Sequence, residues 1–177
     1  MIQFIKDYWF TKSLNKVNKS TRTTLDPVNS YSNIAILFDG TQEEDRKSVH
    51  RFKKTINRNG TKSIKSLTFL DNSLPLDNVD YAAYNKKNVN WYGIPTGEKI
   101  EEFLHSQFDL LIVLCKSMSP HFEYIIANSL SNFVIGPAIS KSEKYFHLMV
   151  DFDSNEHDLA HLGKKIIQGI DLIAIKN

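Results

Sequence analysis

The residues best suited to chemistry lie in a short loop, Cys115 to Ser119, that follows the most apolar stretch of the chain. The loop offers an ammonium group at Lys116 and hydroxyl groups at Ser117 and Ser119, and Pro120 then opens a helix. Ammonium, hydroxyl and N–H groups at the start of a helix favour an anion. We therefore expect a small anionic ligand at this loop, although a routine cap built by Ser119 would need the same residues.

A second candidate contact is the turn Asp39-Gly40, which ends the first apolar run. If the strands before the two loops are neighbours, both loops lie at the topological switch point, where open α/β sheets bind ligands. The turn lacks the three glycines of a dinucleotide fingerprint, and three acids follow that would repel a phosphate: Glu43, Glu44 and Asp45. We predict ligand contacts at Asp39 and Gly40 and no cofactor.

Catalytic residues are harder to assign. Cys115 could act as a nucleophile with His121 as its base, although a small buried cysteine is the commoner outcome. His157 and His161 stand four residues apart, but a zinc helix of this spacing carries His-Glu-x-x-His, and the residues between these two are Asp158-Leu159-Ala160. We predict no metal and name no catalytic residue.

A basic segment runs from Arg46 to Lys65 without an acid. Its helical part could lie against phosphates or an acidic partner, whereas a solvated outer face is the ordinary meaning of such a helix. No aromatic residue lies among the basic residues on this helix face, which is opposite Phe52, so base stacking is not indicated. The candidate nucleic-acid contacts are Arg46, Arg51, Lys53, Lys54 and Arg58.

The elements that must position these residues follow an α/β pattern. The five aliphatic residues from Leu110 to Leu114 show no polar alternation, which indicates a strand covered on both faces, as in a parallel sheet. The predicted strands are Ile34–Phe38, Ser63–Leu70, Val89–Gly93, Asp109–Leu114, Asn132–Ile135 and Tyr145–Phe152. The expected order is β-α-β-β-α-β-α-β-β-α after an N-terminal helix.

This order predicts a three-layer, mostly parallel Rossmann-like sheet of about six strands with an extra N-terminal helix. The last two strands could form an antiparallel hairpin, and a short helical turn is expected at 79–84. The predicted caps are a Thr41/Glu44 capping box, Thr96, Ser119, and Asp153 or Asn155 at N-termini, with Asn59-Gly60 closing the basic helix. Buried helix positions are expected at Val49, Phe52, Ile56, Ile100, Phe103, Leu104, Leu159, Leu162, Ile166 and Ile170.

Composition places few further limits. The chain has 177 residues, a formal net charge of +2, 41% hydrophobic residues and one cysteine. That length suits one core, and the single cysteine excludes an intrachain disulfide. No apolar run approaches the ~20 residues that cross a bilayer, and no secretory signal is recognisable, so we expect a cytoplasmic protein. The expected parts are an N-terminal helix (1–19), a linker (20–33) and an α/β domain (34–177).

The N-terminal helix is apolar nearly all round in its first two turns, with residues such as Ile2, Phe4 and Phe10 pointing in different directions. A surface helix normally shows one apolar stripe. We therefore expect this helix to be clasped by its own domain, or to dock on a membrane, a partner protein or a second copy of the chain.

Three blocks carry a family resemblance: Asn90-Trp91-Tyr92-Gly93-Ile94-Pro95, Phe108-Asp109-Leu110-Leu111-Ile112 and Phe146-His147-Leu148-Met149-Val150. They resemble a family of small uncharacterised proteins from Bacteroidota, a domain of unknown function. The resemblance implies a cytoplasmic bacterial origin and brings no catalytic or binding residues. The strand–helix pattern is also faintly similar to half of a nucleotide-sugar glycosyltransferase, which is an analogy of fold alone.

Taken together, the sequence favours a non-enzymatic α/β module that binds a protein partner or a small anionic ligand. One alternative is a transferase-like enzyme with its site at the Cys115–Ser119 loop. The other is a protein that associates with RNA or the ribosome through the basic helix.

Overall fold

The computed structural model of the chain describes residues 2–14, 30–57, 62–77, 79–153 and 158–174. Its helices are α1 (Ile2–Ser13), α2 (Glu43–Ile56), α3 (Glu98–Leu104), α4 (Pro120–Asn128) and α5 (Leu159–Ala174). Its strands are β1 (Asn33–Asp39), β2 (Ser63–Leu70), β3 (Ala83–Asn85), β4 (Gln107–Leu114), β5 (Leu130–Pro137) and β6 (Leu148–Val150). Short 3₁₀ turns cover Lys86–Asn88 and Ser142–Lys144.

The six strands form one sheet in the order β3-β2-β1-β4-β5-β6, and every pair is parallel. Strands are added on one side of β1 and then on the other, so right-handed crossovers require helices on both faces. The predicted α/β fold with about six strands is confirmed, and so is the order of its elements. The strand order reverses between β1 and β4, which defines the switch point.

Two apolar cores explain the unbroken aliphatic runs. One face of β1 and β4, with Ile36 and Ile112, packs against the buried stripes of α2 and α5. The opposite face, with Leu37 and Val113, packs against α3 and α4. Successive residues of a strand point to opposite faces, so a strand buried on both sides needs apolar residues at every position. All the helix positions predicted to be buried are buried.

Two predictions about strands are wrong. The third strand is Ala83–Asn85, where a helical turn was expected, and residues from Val89 onward form a loop whose Val89 makes an isolated bridge with Pro95. The last two strands are parallel, and β6 pairs with β5 only at Leu148–Val150. The segment between Pro137 and Leu148, which contains the 3₁₀ turn, returns the chain towards the edge of the sheet at which β5 begins, which a two-residue hairpin cannot do.

Most of the predicted caps are also wrong. Helix α2 begins at Glu43 after Gln42, because the Thr41 hydroxyl is bonded elsewhere. Gly97, with φ of 134°, takes the N-cap of α3 in place of Thr96. At α5 the carboxylate of Asp158 accepts a hydrogen bond from the N–H of His161. Ser119 is the N-cap of α4, as predicted, but its side chain makes no capping bond.

Other predictions lie outside the described residues: the helix beyond Leu14, the linker up to residue 29, the Asn59-Gly60 cap, Asn155, His157 and Arg58. Three described contacts link α1 and the residue after it to the rest of the chain. Leu14 packs against the core beside α3 and α4, the side-chain amide of Asn128 donates to the Ser13 carbonyl (3.5 Å), and the Lys6 ammonium lies 5.6 Å from the Trp91 ring centre. The described helices are all too short or too polar to cross a membrane.

Candidate functional site

A cleft of about 650 Å³ opens at the carboxyl ends of β1 and β4. Strands of a parallel sheet end together at this edge, and the helices that follow them diverge to opposite faces, which leaves a crevice between their first turns. The polar residues that line it are Asp39, Thr41, Gln42, Asp45, Asp71, Lys86, Lys116, Ser117, Ser119 and His121. The two loops that the sequence singled out therefore meet in one cleft.

The Cys115–Ser119 loop brings the predicted anion-binding groups to the cleft. Lys116 and Ser117 are exposed and Ser119 is half-buried. Lys116 makes no ion pair within 4 Å in the part of the chain that the structure describes. Because Ser119 does not cap α4 with its side chain, its hydroxyl remains available to a ligand.

Asp39 lies at the end of β1 and holds its own turn in place. One carboxylate oxygen, Oδ1, accepts hydrogen bonds from the N–H (3.0 Å) and hydroxyl (2.6 Å) of Thr41. The Thr41 hydroxyl oxygen in turn accepts from the N–H of Asp71 (2.9 Å). These bonds fix the carboxylate, and among the described residues Oδ2 has no donor, so it can accept a hydrogen bond from a ligand.

Gly40 does not line the cleft, although it was predicted as a contact. A Cβ atom there would collide with the Thr68 methyl group, so the glycine serves the close approach of this turn to β2. The Arg46 guanidinium donates to the carbonyl groups of Gly40 and Thr41, which locks the same turn from the other side.

The remaining acids of the cleft are already engaged. Asp71 forms a 2.7 Å ion pair with Lys86. Asp45 is 8% exposed, and its carboxylate accepts a hydrogen bond from the backbone N–H of Leu159 at the start of α5. Burial raises the pKa of Asp45, while the nearby Lys116 ammonium acts to lower it. Lys116 is thus the cation best placed to meet a ligand.

The half-buried His121 forms part of the wall of the cleft and is hydrogen-bonded to the buried Tyr84. The Tyr84 hydroxyl lies 2.9 Å from His121 Nδ1, and the centre of the imidazole ring lies 4.2 Å from that of the Phe69 ring, with the two planes tilted by 37°. Burial lowers the pKa of His121 to about 4 and raises the pKa of Tyr84 well above its usual value. Both side chains are therefore neutral near pH 7.

Cys115 is 1% exposed, and burial raises the pKa of its thiol to about 12. A thiol in that state is a poor nucleophile. His121, the base proposed for it, is bonded to Tyr84 instead. The geometry thus gives the thiol a packing role.

The basic residues of α2 are divided between two flanks of the helix. Arg46 contacts the β1–α2 turn, and the half-buried Lys53 donates to the Ser66 hydroxyl of β2 (3.0 Å). Arg51 is on the other flank, facing α5, and Lys54 is exposed. Arg58 lies outside the described residues. Among the residues that can be described, no group of three or more His, Cys, Asp or Glu side chains could hold a metal ion.

Sequence reasoning missed the Tyr84–His121 pair and the Asp71–Lys86 ion pair. Tyr84 lies on a three-residue strand that is too short to show a periodicity, so no local pattern predicted its contact with α4. The one available signal was the position of His121 directly after the proline that opens α4, since a helix start after a central strand faces the switch point.

The fold and the cleft define a class: an α/β protein with an all-parallel, six-stranded sheet and a polar cleft at its switch point. The chain belongs to the family of unknown function DUF6913, which matches residues 3–166 and so includes most of α1. No curated protein matches the chain.

Proposed function

We propose that the protein is a non-enzymatic module that binds a small anionic ligand in the switch-point cleft. The anionic group lies against Lys116, Ser117 and Ser119. A hydroxyl group of the same ligand donates to the open oxygen of Asp39, so a hydroxylated phosphate or carboxylate fits the cleft better than a bare anion.

The observation that carries this proposal is the position of Lys116. Among the described residues it has no ion-pair partner within 4 Å, and it lies at a cleft whose other acids, Asp45 and Asp71, already have partners. The hydroxyl of Ser119 and the first N–H groups of α4 add donors on the same side. Asp39, at the end of β1, supplies an acceptor in the same cleft. This arrangement of donors and acceptor favours a ligand that carries both an anionic group and a hydroxyl group.

A thermal-shift screen of anionic metabolites tests the proposal. A ligand that binds only the folded state at 100 times its Kd stabilises it by about 2.7 kcal/mol. We expect Lys116→Met to abolish the shift and Lys54→Met, which removes an exposed lysine outside the cleft, to leave it unchanged. Equal losses in both variants, or no shift with any anion, would sink the proposal.

The substitution Asp39→Asn distinguishes the contact with the hydroxyl group of the ligand from the contact with its anionic group. Removing the negative charge should strengthen the binding of inorganic phosphate and weaken the preference for glycerol phosphate over it. Isothermal titration of both compounds measures this ratio. If the ratio does not change, Asp39 does not contact the ligand.

A transferase-like enzyme is the second candidate, favoured by the presence of Asp39 in the same cleft as the Lys116 loop. Asp39 would serve as the general base for a hydroxyl acceptor, and Lys116 would bind the anionic group. Turnover of a bound metabolite that Asp39→Asn abolishes without loss of affinity would replace the first proposal with this one.

RNA or ribosome association through α2 is a third candidate, and a protein partner is a further form of the binding role. The setting we propose is the cytoplasm of a bacterium of the Bacteroidota. It is supported by the sequence resemblance and by the single, buried, thiol-form cysteine.

A further inference from the structure

The hydrogen bond between Tyr84 and His121 determines which imidazole nitrogen carries the proton. Tyr84 is 1% exposed, and in the described part of the chain its hydroxyl contacts no acceptor other than His121 Nδ1. If Nδ1–H donated to the phenol oxygen, the phenol proton would be buried without a partner, which costs about 1–3 kcal/mol. The phenol therefore donates to Nδ1, and the proton of the neutral ring is on Nε2.

His121 Nε2 faces the cleft. The side chain of His121 lines the cleft. Among the described residues, the unpaired side-chain N and O atoms that are fully buried do not include its Nε2, so Nε2 is accessible. No described protein group bonds to it, so its proton is open to water or to a ligand. The imidazole is held on its other sides by Phe69 and by Phe122, the next residue of α4.

We propose that His121 is a binding residue that donates Nε2–H to the anionic group of the ligand, and that Tyr84 is the positioning residue that fixes this tautomer. This inference rests on the proposed binding of an anion in the cleft. Lys116 supplies a charged contact, and the Nε2–H of His121 adds a neutral donor whose direction is fixed. Together they suit a group that accepts several hydrogen bonds at once, a phosphate or a carboxylate.

Two-bond ¹H–¹⁵N spectra of the free protein at pH 7 test the tautomer without any ligand. We expect the wild-type His121 to carry its proton on Nε2, and Tyr84→Phe to give a mixture of the two tautomers. Tyr145→Phe is the matched control, because it removes another hydroxyl with a hydrogen-bond partner, Glu123, away from His121. A wild-type proton on Nδ1, or a Tyr84→Phe spectrum identical to the wild type, overturns the inference.

Titration with inorganic phosphate, followed by amide shifts, tests the contact. His121→Phe keeps a ring against Phe69 but removes the donor, and we expect binding to weaken about 10-fold, as for one hydrogen bond to a charged group. His121→Gln carries an amide N–H near the position of Nε2 and should restore most of the affinity. Tyr84→Phe should weaken binding less than His121→Phe, since part of its population keeps the right tautomer.

The outcomes separate the two proposals. If His121→Phe binds phosphate as tightly as the wild type while Lys116→Met loses it, this inference fails and the proposed function stands. If the wild type binds neither phosphate nor glycerol phosphate, the proposed function fails too, and the contact assigned to His121 fails with it.

Discussion

At the scale of single residues, the burial of His121 links the stability of the fold to acid. The pKa of its imidazole is about 4 in the folded protein and near 6.5 in the unfolded chain. Between these values the unfolded state binds the extra proton, so stability rises with pH across this window and is lost as the pH falls. The effect amounts to about 3 kcal/mol by pH 4.

Urea unfolding at pH 7.5 and pH 4.0 measures this contribution. We expect the wild type to lose about 3 kcal/mol more than His121→Phe between the two pH values, because the variant cannot take up the proton. Carboxylates titrate in both proteins, so their contributions to the loss of stability cancel in the comparison. Equal losses would mean that His121 is protonated at an ordinary pH in the folded state.

At the scale of elements, the contact between α2 and α5 depends on a glycine. A Cβ atom on Gly163 would lie 2.9 Å from ring carbons of Phe52, closer than two such atoms can approach, whereas a Cβ on Gly169 of the same helix would meet its nearest neighbour, Val150, at 3.8 Å. Alanine in a helix gains up to about 1 kcal/mol over glycine, and overpacking costs about 1–3 kcal/mol.

The two substitutions should therefore have opposite signs. We expect Gly163→Ala to lower the free energy of unfolding by about 1 kcal/mol net, and Gly169→Ala to raise it by up to about 1 kcal/mol. Chemical denaturation of both variants beside the wild type gives the comparison. A stabilised Gly163→Ala protein would show that α2 and α5 can separate without loss.

The basic face of α2 is an element-scale feature as well. RNA association through this helix requires Arg51 and Lys54, which are exposed, because Arg46 and Lys53 are held against the β1–α2 turn and β2. Replacing both exposed residues with glutamate should then reduce retention on RNA at low salt. It should also lower the slope of log affinity against log salt concentration by the equivalent of about two phosphate contacts. Reversing Lys47, which is paired with Glu43 and Glu44, is the control. Equal retention of all three proteins would leave α2 a solvated face.

The elements that could be predicted from sequence are those whose signal lies within one run of residues. The boundaries of β2, the aliphatic strand β4 and the stripe of α5 follow from patterns of this kind. The failures depend on distant partners. Thr41 looks like a cap, but Asp39 and Asp71 use its hydroxyl.

The same reason limits what the sequence could say about the site. Asp39 and the Lys116 loop were found because strand ends are readable and a parallel sheet aligns them. Tyr84 was not, because β3 is too short to show a period and becomes a strand only beside β2. The pairing of Tyr84 with His121 joins residues that are 37 positions apart, and no local pattern reports it.

At the scale of the whole molecule, the described contacts that tie α1 and the residue after it to the rest of the chain include Leu14, the Lys6–Trp91 pair and the bond to Asn128. We expect removal of residues 1–19 to lower stability by at least about 2 kcal/mol, which is the contribution of one partly buried leucine and one cation–π contact. Urea unfolding measures this, with Leu14→Ala as a partial version of the same loss.

Light scattering after size exclusion examines the other possibility, that α1 docks on a second copy of the chain. In that case the full chain elutes as a dimer and the truncated chain as a stable monomer. Unchanged stability together with an unchanged mass and unchanged partners would contradict both the clasped and the docking interpretation of α1.

The place of β1 in the sheet also governs how the protein emerges during synthesis. Asn33 and its partner Asp109, which accepts a hydrogen bond from its N–H, are 76 residues apart. At about 5–20 residues per second, the nascent chain needs about 4–15 s to bring β4 to β1. Throughout that interval one edge of an aliphatic strand has unpaired N–H and C=O groups, a template for pairing with other chains. The pairing of β4 with β1, which brings the two loops of the cleft together, thus also ends the period in which this strand edge is exposed, and we expect chaperones to hold the nascent chain until residue 114 is free.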